Sequence, residues 1–368
     1  MSVIINTEKL AVGYNKSALI NNIEISVKQG EILVLIGPNG AGKSTILKTL
    51  SKQLEKICGT VFLKGKDMTK LSDSDISKEM ALVMTTHPST EYMTVEDMVQ
   101  TGRYPYTGRF GFLSEEDKNI VDNIMITAGV DKIRNKDFNR ISDGQRQKVM
   151  LARALCQEPE ILIMDEPTSY LDIHHKIELL SILKKLVREK TIAVIMSLHE
   201  LDFAQKCADN VLCIAEGNID RYGSVEKIFH GEDGYIERLY GVKRGTYISE
   251  YGSVEMEKIK GAPKVFVIGG GGNGIPVYRK LQREGIPFAV GVLHENDVEY
   301  PVAKALAAEV VVEKSFDKIT DAKIERAKAI IDGCDKVMCT VDTWGMMNEK
   351  NRELKDYAKE KTVEDING

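Results

Sequence analysis

The nine residues Gly37-Pro38-Asn39-Gly40-Ala41-Gly42-Lys43-Ser44-Thr45 follow directly on the apolar run Ile32-Leu33-Val34-Leu35-Ile36 and satisfy G-x-x-x-x-G-K-[ST]. A buried strand that breaks into a glycine-rich turn and then enters a helix points backbone N–H groups and the helix N-terminus at one spot. Such a spot binds phosphate. Lys43 reaches the terminal phosphates as a flexible point charge, and the Ser44 hydroxyl suits a Mg2+ ligand. A second apolar run, Ile161-Leu162-Ile163-Met164, ends in Asp165-Glu166-Pro167. Hard Mg2+ prefers oxygen, so Asp165 at the strand end fits the metal shell, while Glu166 can polarise an attacking water. Both sets stand where an apolar strand leaves a sheet, so buried strands must position them.

Ahead of the acidic pair, Ile141-Ser142-Asp143-Gly144-Gln145 resembles the signature sequence of ABC ATPases. Pro167-Thr168-Ser169-Tyr170-Leu171-Asp172 continues as that family's D-loop does. The resemblance implies an ATP site with Mg2+, in which Glu166 is the general base. His199, in Ser197-Leu198-His199-Glu200, takes the place of the family's switch histidine, which contacts the γ-phosphate. Tyr14 takes the place of the adenine-stacking aromatic. Ser142, Gly144 and Gln145 of the signature, with Asp172, complete the nucleotide-contacting set, the signature acting on the ATP of a second copy. Where the family usually has a glutamine that touches Mg2+ and relays movement, this chain reads Thr85-Thr86-His87-Pro88. That departure bears on coupling more than on nucleotide binding.

The stretch Gly102-Arg103-Tyr104-Pro105 and the segment Tyr170 to Leu180 are similar to ATPases of importers for iron chelates, haem and vitamin B12. Within that segment His174 and His175 read as polar helix residues, because adjacent helical positions face different sides. The turn residues and aromatics from Thr101 to Phe112 suit either an interface or a small core beneath a loop.

A net charge of −5 over 368 residues gives no basic surface for nucleic acid. The longest apolar runs are one strand each, short of the roughly 20 residues of a membrane helix. The first six residues lack the basic and long apolar regions of a secretory signal. Six cysteines without C-x-x-C spacing read as reduced thiols of a cytoplasmic protein.

The fold class expected is α/β throughout. Residues 1–243 read as a P-loop NTPase domain of the ABC ATPase type with a helical subdomain between 95 and 157, residues 244–262 as a linker, and residues 263–368 as a small Rossmann-like parallel α/β domain, regulatory in role. In the last, strands near 264–268, 287–293, 310–312 and 336–341 alternate with helices at 302–308 and 321–331. Gly269, Gly271 and Gly274 satisfy G-x-G-x-x-G, with Glu295 at 21 residues beyond. Dinucleotide binding, another small ligand and a tight turn all stay open there.

The resemblance implies an ATP-hydrolysing importer subunit that works as a homodimer beneath membrane permease subunits served by a substrate-binding protein. It would lie in the cytoplasm, peripheral to the inner face of the membrane. The alternative is a soluble ABC ATPase with a non-transport role regulated by its C-terminal domain. Only 122 positions separate Lys43 from Asp165, too few for the coiled-coil insertion of DNA-repair relatives. Translation-factor relatives usually carry two cassettes, and this chain has one.

Overall fold

The computed structural model describes all residues except 1, 85–91, 109–110, 232–233, 359–362 and 366–368. Contacts divide the chain into two compact units, Met1–Glu232 and Asp233–Gly368.

The first unit opens with antiparallel strands β1 (Val3–Tyr14), β2 (Ser17–Ile23) and β3 (Ser26–Lys28), followed by β4 (Ile32–Ile36) and helix α1 (Lys43–Leu50). Next come β5 (Cys58–Leu63), β6 (Lys66–Asp67), α2 (Asp73–Glu79) and β7 (Met80–Val83). The helical block holds α3 (Val95–Gln100), α4 (Glu115–Thr127) and α5 (Asp143–Leu155). The unit continues through β8 (Ile161–Met164), α6 (Ile173–Lys190), β9 (Ala193–Ser197), α7 (Leu201–Cys207), β10 (Asn210–Ala215), β11 (Asn218–Ser224) and α8 (Val225–Phe229).

Six strands form the sheet that carries the chemistry, in the order β11-β10-β4-β9-β8-β7, parallel except for β11. Every residue of β4, β8 and β9 is buried, as parallel strands covered on both faces require. Strand β9 lies between β4 and β8, and its register sets Ser197 opposite Leu35 and Met196 opposite Met164. The residues that follow β4, β8 and β9 therefore leave the sheet side by side at one edge. A second sheet, β2-β1-β5-β6 with β3 on β1, shares an apolar core with β4, β8 and α1.

The helical block is pinned by Arg103. Its guanidinium donates to Asp117 Oδ1 at 2.8 Å, to the Cys156 carbonyl at 2.8 Å and to Glu158 Oε2 at 2.8 Å, and it stacks 4.0 Å above the Tyr106 ring centre. Of the two readings of the Thr101–Phe112 stretch, this part is a small polar core; Phe112 is exposed.

The second unit begins with α9 (Tyr235–Tyr240) and a hairpin of β12 (Tyr247–Ile248) and β13 (Ser253–Val254). Strand β14 (Val265–Ile268) leads through the glycine turn to α10 (Ile275–Arg283), β15 (Phe288–His294), α11 (Tyr300–Leu306), β16 (Glu309–Glu313) and α12 (Asp321–Asp332). It closes with β17 (Lys336–Cys339), α13 (Asn351–Tyr357) and β18 (Val363–Asp365). The sheet is parallel throughout, in the order β16-β15-β14-β17-β18, one strand more than the sequence suggests. The stretch expected to be a linker is structured instead. Ile248 joins the core of this unit, Tyr251 Oη donates to the Val298 carbonyl at 2.7 Å, and Glu255 pairs with Arg279. By its contacts the stretch 244–262 belongs to the second unit, Asp233–Gly368.

Arg103→Ala is expected to destabilise the first unit by roughly 3 kcal/mol, because it leaves the Asp117 carboxylate buried without its cation. At roughly 2–4 °C per kcal/mol for a unit of this size, scanning calorimetry should show its transition lowered by about 6–12 °C.

Candidate active site

Lys43 is the first residue of α1 and is only 5% exposed. Its ammonium donates to the carbonyls of Gly37 at 2.8 Å and Pro38 at 3.1 Å. Burial pulls its pKa below the ordinary lysine value, opposed by the negative charges of Glu166 and Asp165. A cation is thus held inside the loop Gly37–Thr45 and facing two acids, the arrangement that neutralises a bound polyphosphate.

Asp165 follows β8, and its Oδ1 accepts hydrogen bonds from Ser44 Oγ at 3.0 Å and Ser197 Oγ at 2.8 Å. Two hard oxygens, Ser44 Oγ and Asp165 Oδ1, converge there, a donor set that fits Mg2+ beside phosphate oxygens. Glu166 takes a left-handed backbone with φ 45°, and its N–H donates to Ser197 Oγ at 2.8 Å. A non-glycine residue in that region stores strain that its surroundings must hold, a frequent feature of working sites. The side chain of Glu166 is gripped at both oxygens, Oε1 by His199 Nε2 at 2.5 Å and Oε2 by Ser169 Oγ at 3.1 Å. Thr45 Oγ1 reaches Tyr14 Oη at 3.5 Å, and the Tyr14 ring is half exposed beside the loop, available for stacking on a base.

The remaining expected residues form a second group. Ser142 caps α5 with a reciprocal box: its Oγ accepts from the Gln145 N–H at 3.3 Å, and Gln145 Oε1 accepts from the Ser142 N–H at 3.3 Å. Asp172 caps α6 by accepting from the His175 N–H at 2.9 Å, and it also meets His175 Nδ1 at 2.9 Å. These bonds from the backbone and ring of His175 hold the Asp172 carboxyl below its usual pKa. Gly144 lies against the His175 ring. Thr85 and Thr86, at the place of the missing glutamine, lie outside the described residues.

Three participants escaped the sequence reading. Ser197 is fully buried and ties both acids, yet in the sequence it is only the last residue of an apolar run. Glu200 accepts from Thr168 Oγ1 at 2.9 Å and pairs with Lys176; desolvation opposes its ionisation, but those two bonds win and its pKa falls. His175 was read as an ordinary helix residue, and it packs on the signature instead.

In the second unit the chain's own carboxylates take N–H groups of the glycine turn. The Gly271 N–H donates to the Asp297 carboxylate at 3.1 Å, and the Gly274 N–H donates to Glu299 Oε1 at 2.6 Å. Glu299 is fully buried and takes the Tyr278 hydroxyl on its other oxygen. Burial and then the Glu299 charge push the Tyr278 pKa well up. A Cβ at Gly269 would stand 2.2 Å from Tyr278 Oη, and one at Gly274 would stand 2.4 Å from Glu299 Oε2, so these glycines admit the Tyr278–Glu299 pair. The acids over the turn are Asp297 and Glu299. Glu295, expected there, is exposed and bonds through its N–H to the Glu313 carbonyl at 3.0 Å.

The fold and this site define a P-loop ATPase. The family model described as ABC transporter matches residues 20–169, and the one described as MJ0874 family matches residues 288–365. An ABC transporter ATP-binding protein of Methanocaldococcus jannaschii, MJ0873, is 42% identical over 292 residues, 79% of this chain and all of that relative. The iron(3+)-hydroxamate import ATP-binding protein FhuC of Bacillus subtilis is 36% identical, covering 61% of this chain and 83% of FhuC. The cobalamin import ATP-binding protein BtuD of Halobacterium salinarum is 30% identical over 88% of this chain and 82% of its own. Among solved structures, the ADP conformation of the cassette MJ1267 overlays with a TM-score of 0.58 at 21% identity, over 64% of this chain and 98% of that one. The chain belongs to the ATP-binding proteins of the ABC transporter family, and ATP binding and hydrolysis are its activity.

Ser197→Ala removes the hydroxyl that joins Asp165 to the Glu166 N–H, leaving buried polar groups unpaired at a cost of about 1–3 kcal/mol. With Lys43 untouched, kcat for ATP is expected to fall roughly ten- to hundredfold, while fluorescent-nucleotide titration shows unchanged affinity.

Proposed function

We propose that the chain is the ATP-hydrolysing subunit of an importer for an iron chelate, haem or a cobalamin-type cargo. It works as a homodimer on the inner face of a membrane, beneath permease subunits that a substrate-binding protein supplies. The observation that carries the reading is the Glu166–His199 pair at 2.5 Å, set beside Asp165, Ser44 and Lys43. The similarity to an iron(3+)-hydroxamate import ATP-binding protein, FhuC, and to a cobalamin import ATP-binding protein, BtuD, supports the cargo class. A solved dimeric cassette with ADP and Pi, similar in fold at TM-score 0.54, supports the dimer. Among the described residues no helix is long and apolar enough to cross a membrane.

In this reading Lys43 and the loop N–H groups hold the β- and γ-phosphates, and Tyr14 stacks on adenine. Glu166, fixed by His199 and Ser169, accepts a proton from the water whose oxygen bonds to the γ-phosphorus as the bond to the bridging oxygen breaks. Ser44 and Asp165 would hold Mg2+, which when bound neutralises charge on the phosphate oxygens. Ser142, Gly144 and Gln145, with Asp172, serve the ATP of the second copy.

A groove of about 940 Å3 lined by Lys48, Lys52, Met80, Met84, Gly102 and Arg153 is the surface we assign to the permease. Arg153 donates to Thr101 Oγ1 at 2.8 Å, burial lowers its pKa, and among the described residues no carboxylate pairs with it. An acidic side chain on the permease segment would complete it. The C-terminal unit is assigned to regulation. With Asp297 and Glu299 over its glycine turn, a dinucleotide pyrophosphate placed there would meet two carboxylates, so a neutral or cationic small ligand fits better.

Glu166→Gln retains shape and removes the base. Gel filtration with ATP is expected to show a stable dimer with hydrolysis nearly abolished, and wild-type turnover in this variant would sink the assignment. Ser142→Arg and Lys43→Ala should each be inactive, and mixing them should restore one working shared site. A mixture as inactive as its parents would rule out the shared-site dimer.

A further inference from the structure

We infer that His175 is the positioning residue that fixes the signature turn against the D-loop of its own chain. The inference deepens the dimeric reading above and rests on it. A Cβ built on Gly144 would fall 2.8 Å from His175 Cγ and Cδ2 and 3.1 Å from Nδ1, so the imidazole lies directly on the backbone at the signature glycine. Only a residue without a side chain lets a ring approach so closely. The ring is also held at Nδ1, which stands 2.9 Å from Asp172 Oδ1. A carboxylate only accepts, so Nδ1 carries the proton and donates it. One turn further along each helix, Lys148 of α5 and Glu178 of α6 form an ion pair. The ring and the ion pair are two rungs between α5 and α6.

The lower rung has a mechanical consequence. Asp172 ends the D-loop that begins next to Glu166, and the Glu166 carboxylate is itself bonded to Ser169 Oγ within that loop at 3.1 Å. Thr168 and Lys176, on either side of the D-loop's end, are both held by Glu200, the neighbour of His199. A change at the base of one ATP site is therefore carried through the D-loop and His175 to the signature, which serves the ATP of the other copy. Capping is not the role of the ring: α6 is capped by Asp172 through the backbone N–H of residue 175, which the alanine and glutamine variants keep.

The test uses the full-length chain and MgATP. His175→Ala is expected to lower kcat roughly ten- to hundredfold, the scale of a displaced catalytic group, with the KM for ATP and the thermal midpoint little changed. His175→Gln, whose amide can donate to Asp172 and lie flat on Gly144, should recover most of the loss. In a double-mutant cycle, the penalty of Gly144→Ala should shrink when His175 is already alanine, since the collision is then gone. A kcat for His175→Ala within twofold of wild type overturns the inference. So does a loss that tracks a lowered thermal midpoint and that glutamine does not rescue. If instead the wild type fails to hydrolyse ATP, or Glu166→Gln forms no ATP-dependent dimer, it is the function proposed above that fails.

Discussion

A lysine buried at the end of a parallel sheet must be surrounded by oxygen, and the first unit is arranged around that need. Lys43 finds the carbonyls of its own loop and the field of two acids. Those acids repel one another, so they persist as a pair only where hydroxyls and N–H groups hold each in place. Ser197 does this for both, donating to Asp165 and accepting from the Glu166 N–H. Its place on β9, between the strand of the lysine and the strand of the acids, explains the order β4-β9-β8 in functional terms. Remove the middle strand and the charges lose their common partner.

The sequence makes the ends of these strands legible and leaves their sideways relations hidden. Gly37–Thr45, Asp165, Glu166 and His199 each follow an apolar run, and each stands at the sheet edge that such a run implies. Ser197 carries no comparable signal, because a serine closing a strand looks the same whether it faces solvent or two carboxylates. His175 is hidden for a different reason. Helical spacing tells which residues share a face, but the contact with Gly144 joins two helices whose packing depends on the whole domain. The Asp172 cap of α6 was within reach of the sequence; the ring that the cap orients was not.

The C-terminal unit shows what a glycine pattern leaves open. Alternating strands and helices correctly announced a parallel sheet, and the glycines do follow its central strand β14. Their spacing, however, specifies only that backbone N–H groups are free to meet an anion, without saying whose anion it is. Here the chain supplies Asp297 and Glu299 from the loop after β15. Glu299 would be costly to bury alone, and the Gly274 N–H and Tyr278 hydroxyl are what make the burial tolerable. The strand β18 was missed because three residues near the chain's end, Val363–Asp365, offer too short an alternation to read.

The two residue groups of the first unit differ in what they lack. The group around Lys43 has a base, a phosphate cradle and metal-site oxygens. The group around Ser142 has a capped helix N-terminus, and among the described residues no lysine takes part in the hydrogen bonds of that cap. A helix N-terminus adds positive potential to a phosphate without chemistry of its own. Such a terminus suits a site whose chemistry stands elsewhere, which in the homodimer proposed above would be that of the other copy. In that proposal each chain both hydrolyses and assists, and the D-loop is the covalent link between the two roles. A side-chain contact such as His175 on Gly144 matters because backbone connection alone transmits little unless the far end is held against the element it is to move.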